Sequence, residues 1–93
     1  AYASSKAAVQ AMSRSLAKEL GPLGIAVCCL ELGFMDTKSM KLSVSQDIAD
    51  SIVKATPARR FGTVSDVGRA LEFLFENEFM CGEVLTLAGG YRP

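Results

Sequence analysis

The unbroken apolar run Ile25-Ala26-Val27-Cys28-Cys29-Leu30, preceded by Gly21, Pro22 and Gly24, admits few folds. It does not alternate, so neither face of it is offered to water. A strand of this kind is buried on both faces, as in a parallel sheet with helices on either side. The chain must therefore find apolar layers above and below this strand. With 93 residues, a domain buries only roughly 60–65% of its unfolded surface. A core built from this chain alone is marginal.

The flanking segments supply helices. From Tyr2 to Leu20, Val9, Met12, Leu16 and Leu20 recur at spacings of three and four among several alanines, which predicts a helix. Pro22 cannot continue its hydrogen-bond ladder, and Gly21 and Gly24 suit a C-terminal cap. Glu31 to Thr37 is then the loop leaving the C-terminal end of the strand, the end at which open α/β sheets bind ligands. Lys38 to Ala55 is polar and weakly periodic, and reads as a flap with a short helix around Gln46 to Lys54. Thr63 and Asp66 form a capping box with Asp in place of Glu, and Val67, Leu71 and Leu74 give Val64 to Glu76 a helical stripe. Glu83 to Leu87 is a short strand leaving through Ala88, Gly89 and Gly90. The order is helix, strand, flap, helix, strand: an α/β class with a right-handed parallel crossover. Two parallel strands do not make a stable sheet, so the first strand is expected to lack a neighbour.

Composition narrows the function. Hydrophobic residues make up 49% and charged residues 22% of the chain, as in ordinary soluble globular proteins. Ten basic residues balance ten acidic ones, leaving no electrostatic footprint for nucleic acid or an anionic membrane. No segment has the apolar length of a membrane span. With no histidine, Ser-His-Asp and Cys-His catalysis are excluded within these residues. Cys28, Cys29 and Cys81 have neither disulfide-framework nor zinc-ligand spacing, so no metal is expected. Cys28 and Cys29 read as buried, inert thiols in a reducing cytoplasm, and no leader indicates secretion. The chain opens on Ala1 and runs straight into a helical pattern, which reads as cut from something longer.

Tyr2 and Lys6 stand four apart on the first predicted helix, so their side chains share a face. At ~4 Å and an effective dielectric of about 20, an ammonium attracts a phenolate by about 4 kcal/mol. A phenol beside a lysine is thus suited to exchanging a proton near neutral pH. Of the remaining polar groups, Arg59 and Arg60 are able to pair with phosphate or an acyl-carrier partner, but a solvated surface pair is the commoner outcome. Phe73, Phe75 and Phe79 follow no base-stacking pattern and are assigned to core or subunit contacts.

Taken in order, the segments resemble a known family. Tyr2-Ala3-Ser4-Ser5-Lys6 resembles the Tyr-x-x-x-Lys signature of short-chain dehydrogenases/reductases, and Leu16-Ala17-Lys18-Glu19-Leu20 the end of the same helix. Gly33-Phe34-Met35-Asp36-Thr37 is similar to the family's Pro-Gly-x-x-x-Thr loop. Arg60-Phe61-Gly62, Asp66-Val67 and Gly82-Glu83-Val84-Leu85-Thr86-Leu87-Ala88-Gly89-Gly90 resemble its C-terminal signature. The resemblance covers essentially the whole chain, and among branches the wording is most like 3-oxoacyl-ACP reductases.

The resemblance implies that residues 1–93 are the C-terminal part of a single NAD(P)-binding domain with a Rossmann-type, doubly wound parallel sheet, the N-terminal dinucleotide-binding half being absent. It implies hydride transfer between NADP(H) or NAD(H) and a carbonyl or acyl-thioester substrate. Tyr2 would be the proton donor. Lys6 would favour the tyrosinate and contact the nicotinamide ribose. Gly33, the Met35 backbone and the Thr37 hydroxyl would touch the cofactor, and Thr37 also suits a cap for a helix starting at Lys38. A cytoplasmic homotetramer is implied as well. Two features depart from the pattern: Leu32 replaces the usual proline, and the glycine-rich phosphate turn and catalytic serine that the family carries upstream are not among these residues. The isolated chain is accordingly expected to be a poor enzyme. The alternative is a truncated or pseudoenzyme piece acting only in assembly.

Overall fold

A computed structural model describes residues 1–92. The elements run α1 (Tyr2–Leu20), a 3-10 turn (Gly21–Leu23), β1 (Cys29–Leu32), α2 (Lys38–Ser43), α3 (Gln46–Ala55), α4 (Val64–Glu76) and β2 (Val84–Leu87). The expected α/β class is found. Two compact units are distinguished, Ala1–Leu30 with Phe73–Leu85, and Glu31–Glu72 with the residues from Thr86 onward, and the division falls inside β1, β2 and α4.

The two strands pair directly. Cys29 N–H donates to Glu83 O and Gly33 N–H to Leu87 O, both at 2.9 Å. Each strand advances equally between these bonds, so the pairing is parallel. The apolar run predicted a strand over 25–30, whereas the ladder occupies Cys29–Leu32. Nor is the run buried on both faces as expected: Ile25 is 49% exposed and Val27 to Leu30 are half-buried, because the residues of this chain pair the strand on one edge and cover it incompletely.

In the first unit α1 ends where its sequence says it should. Gly21 N–H closes on Ala17 O, Gly21 and Pro22 open the 3-10 turn, and Gly24 ends it with a left-handed φ of 85°. The packed side of α1 is Ser13 and Ala17, not the apolar stripe: Val9, Met12 and Leu16 stay exposed. The Ser13 hydroxyl is satisfied by donating to Val9 O at 2.8 Å. Ala17 meets the backbone of Gly82, where an added Cβ would lie 3.5 Å from the Ala17 Cβ. The Cys28 thiol donates to Met80 O at 3.2 Å, and all three cysteines are free and partly buried. Phe73, Phe75 and Phe79 do not join the core, the last two being 85% and 99% exposed.

The second unit holds the flap. It contains one more helix than the periodicity showed: six-residue α2, started by Thr37, whose side chain accepts from Met40 N–H at 3.2 Å. Ser45 caps α3 likewise, accepting from Ile48 N–H. After α3, the only buried residue of this unit among the described residues is Thr56, whose hydroxyl donates to Ile52 O at 2.7 Å. The turn from Thr56 to Arg59 then receives the chain's last segment, with Ala58 N–H donating to Gly89 O at 2.9 Å. Arg59 adopts φ 58°, a left-handed backbone, and its guanidinium donates to Lys54 O.

Neither unit closes an apolar core. Exposed large side chains occur in both, among them Leu23 and Phe79 in the first and Leu42 and Val64 in the second. Apolar surface on this scale drives association. The isolated chain should therefore sediment above its monomer mass of 9.9 kDa and bind the dye ANS. A monodisperse, dye-silent monomer in analytical ultracentrifugation would contradict this account of its surface.

Candidate active site

Tyr2 and Lys6 open α1 in the first unit. The helix places them on one face, with Lys6 Nζ 5.1 Å from the centroid of the Tyr2 ring. The ammonium thus lies over the π face of the ring. At an exposed position such a contact is worth about 0.5–1 kcal/mol. Tyr2 is 75% exposed, so its hydroxyl can be reached by a small molecule. Ser5, three residues after Tyr2, spends its hydroxyl on Ala1 O at 2.9 Å, which fits a local helix bond.

Gly33, Met35 and Thr37 lie together in the second unit, in the segment leaving β1. This segment is held on two sides by backbone. Gly33 bonds to Leu87 O, and an added Cβ at Gly33 would sit 2.8 Å from both Cα and Cβ of Ala88. On the other side Met35 and Gly62 form a parallel bridge: Gly62 N–H donates to Phe34 O at 2.9 Å and Asp36 N–H to Gly62 O at 2.8 Å. Successive amides of an extended chain point in opposite directions, so the Met35 amide faces away from Gly62. The Phe34 ring meets Tyr91 edge to face, centroids 5.1 Å apart. Asp36 pairs with Lys41 at 3.4 Å. Thr37 Oγ1 accepts from Met40 N–H, which leaves its own proton free to donate, so capping and ligand contact are compatible at this residue.

Sequence reasoning did not foresee the role of Arg60. Like Arg59 it stays at the surface, as read, but its guanidinium clamps the Asp66 carboxylate with bonds of 2.7 and 3.1 Å. Asp66 Oδ2 also accepts from Thr63 N–H at 2.8 Å and from the Thr63 hydroxyl at 3.0 Å, while Asp66 N–H donates to Thr63 Oγ1 at 3.2 Å. The capping box is thus formed as read, with an arginine added to it. The Thr63–Asp66 spacing was a visible signal; an arginine three residues ahead of the cap was not recognised as its partner. The Arg60 guanidinium first, then the Thr63 amide and hydroxyl, hold the Asp66 carboxyl well below the usual carboxylate range. A cavity of about 120 Å³ beside this cluster is lined by Phe34, Met35, Arg60, Gly62, Asp66 and Ala88, among others. That is below the roughly 300 Å³ at which small-molecule pockets begin. Among the described residues no group of His, Cys, Asp and Glu could hold a metal ion, and no helix is long and apolar enough to cross a membrane.

Comparisons with known proteins agree on one lineage. A family model described as enoyl-(acyl carrier protein) reductase matches residues 1–92. Acetoacetyl-CoA reductase of Synechocystis is 36% identical over 98% of this chain and 39% of its own length. The 3-oxoacyl-[acyl-carrier-protein] reductase of Chlamydia muridarum is 35% identical over 96% of the chain and 36% of its own length. Among solved structures, 3-hydroxyacyl-CoA dehydrogenase type-2 from Mycobacterium avium superposes with a TM-score of 0.90 at 32% identity, covering 99% of this chain and 36% of that one. A small-chain dehydrogenase in complex with NADPH gives 0.77 at 31%, covering 90% of this chain and 39% of that one. The chain spans less than two fifths of the length of these relatives.

Two measurements probe the site's construction. Gly33→Ala, which drives a methyl into the Ala88 backbone, should destabilise the full-length protein by about 1–3 kcal/mol. Gly62→Ala should cost less, because the methyl would meet chiefly the flexible end of the Met35 side chain; equal urea-unfolding midpoints for the two variants would refute the contrast. The pH dependence follows from Asp66. Its folded pKa is depressed, so its contribution to stability is complete above the unfolded value, about 4, and is lost as pH falls below that value toward the folded one. Asp66→Asn should flatten the acid limb of the stability profile below about pH 4, read by thermal melts at stepped pH.

Proposed function

The chain belongs to the short-chain dehydrogenase/reductase family, and from that premise we propose that it is the C-terminal part of a single NAD(P)-binding domain. The full-length protein would be an oxidoreductase acting on a carbonyl or its alcohol. The observation that carries the reading is the pair at the head of α1: an exposed phenol with a lysine ammonium over the same ring. The relatives named as acetoacetyl-CoA and 3-oxoacyl-[acyl-carrier-protein] reductases support an acyl-thioester bearing a 3-oxo group as substrate.

The residues present fit a nicotinamide dinucleotide by the chemistry of their donors. Lys6 offers an ammonium to ribose hydroxyls. Thr37 retains a hydroxyl proton beside its cap, the Met35 amide faces away from Gly62, and Gly33 puts no side chain in the way. The neighbouring protein solved with NADPH supports NADP or NAD as the cofactor. Bound NADPH or NADH supplies the hydride for reduction. The chain's part is the proton: the Tyr2 hydroxyl donates to the substrate oxygen as negative charge develops there, and the Lys6 ammonium stabilises the charge left on the phenol oxygen. In the oxidative direction Tyr2 takes the proton back.

The exposed Phe73, Phe75 and Phe79 and the uncovered stripe of α1 support a homo-oligomer, a tetramer by family resemblance, in the cytoplasm. Tyr2→Phe in the full-length protein should lower kcat by about 10²–10⁴-fold with an unchanged melting temperature, and both forms should gain thermal stability from NADPH or NADH. Unchanged turnover would assign proton donation to another group.

A further inference from the structure

We propose that Arg60 and Asp66 are positioning residues for the Gly33–Thr37 loop, acting through the Met35–Gly62 bridge; the inference rests on the reading of that loop as cofactor-binding. The loop itself has few means of holding its shape. Side chains touch it at the Phe34–Tyr91 ring contact and the exposed Asp36–Lys41 ion pair, and its backbone from Phe34 to Asp36 is tied to another segment by the two hydrogen bonds of Gly62. Their alignment is only as good as the conformation of Gly62, a residue with no side chain to anchor it.

Arg60 and Asp66 provide that anchor from either side of Gly62. The Asp66 carboxylate takes four hydrogen bonds, two from the Arg60 guanidinium and two from Thr63. Arg60 Nη1 also donates to Phe61 O at 2.9 Å. The peptide from Arg60 to Asp66 is thereby tied end to end around Gly62, and its far end is built into α4. The planar guanidinium matches the carboxylate on two atoms at once, which fixes orientation as well as distance. Asp66 keeps only 17% of its side chain exposed against 57% for Arg60, so the carboxylate is the fixed point and the arginine closes over it. Neither residue is expected to touch the cofactor.

The test uses the cofactor-free full-length protein first. Asp66→Asn should speed hydrogen exchange at the Asp36 and Gly62 amides by about tenfold or more, leaving the amides of α1 as they were. Asp66→Glu, which restores the charge and the commoner capping-box residue, should return them toward the unaltered rate. In steady-state kinetics Asp66→Asn and Arg60→Met should each raise the cofactor KM about tenfold with kcat within twofold. The double variant should be no worse than either single one, since both remove the same tie. Exchange that stays unchanged, exchange that quickens throughout the chain, or a loosened loop with an unchanged cofactor KM would overturn the inference. Failure of the unaltered protein to bind either nicotinamide nucleotide would instead overturn the proposed function, and the exchange result separates the two failures.

Discussion

The parallel pairing of Cys29–Leu32 with Val84–Leu87 decides where everything else can stand. It is short, and its last hydrogen bond, Gly33 N–H to Leu87 O, already belongs to the loop beyond it. Two consequences follow from that one bond. The chain leaving β1 and the chain leaving β2 emerge side by side, and the former must be glycine because Ala88 occupies the space a Cβ would need. In an open α/β sheet the carboxyl ends of the strands are where a ligand is received. The same geometry that ends the sheet therefore begins the candidate cofactor loop.

What the sequence made legible were the elements with a chemical start or stop. Helix α1 was readable to its last residue because Pro22 cannot continue the ladder and Gly24 takes a left-handed backbone, and α4 because the capping box announces its first turn. Helix α2 was missed, since six residues with Met40 and Leu42 as their apolar members are too short to show a helical period; only the Thr37 cap hinted at it. Strand β1 was displaced because an unbroken apolar run does not mark the residue at which pairing begins, and Ile25 at its head is in fact exposed. The apolar stripe of α1 was identified correctly as apolar, yet it does not face this chain's own packed residues, which are Ser13 and Ala17. Periodicity finds a face and leaves its partner unnamed.

The site residues divide along the same line. Tyr2 and Lys6 were legible because their relation is local, one helical turn apart. Gly33, Met35 and Thr37 were singled out as candidates through the order of the motifs, and the structure places them in one segment leaving β1. The Gly62 bridge and the Arg60 clamp were not, because both join segments through a turn, with no repeating interval to betray them. A single residue type, arginine, offered two readings at positions 59 and 60, and only the fold separates them: one supports a left-handed turn, the other a carboxylate.

Comparing magnitudes separates the two groups of residues further. The ring contact of Lys6 is worth about 0.5–1 kcal/mol, less than the roughly 2 kcal/mol of rotamer entropy a lysine carries. That contact is therefore not what fixes the ammonium. The loop at Gly33 is held instead by backbone bonds on both flanks, by a steric stop at Ala88 and by a charge-assisted clamp behind Gly62. The shape of this loop is thus set by the fold itself. It follows that changes at Gly33 act on the fold, while the phenol of Tyr2, 75% exposed, can lose its hydroxyl with the fold intact.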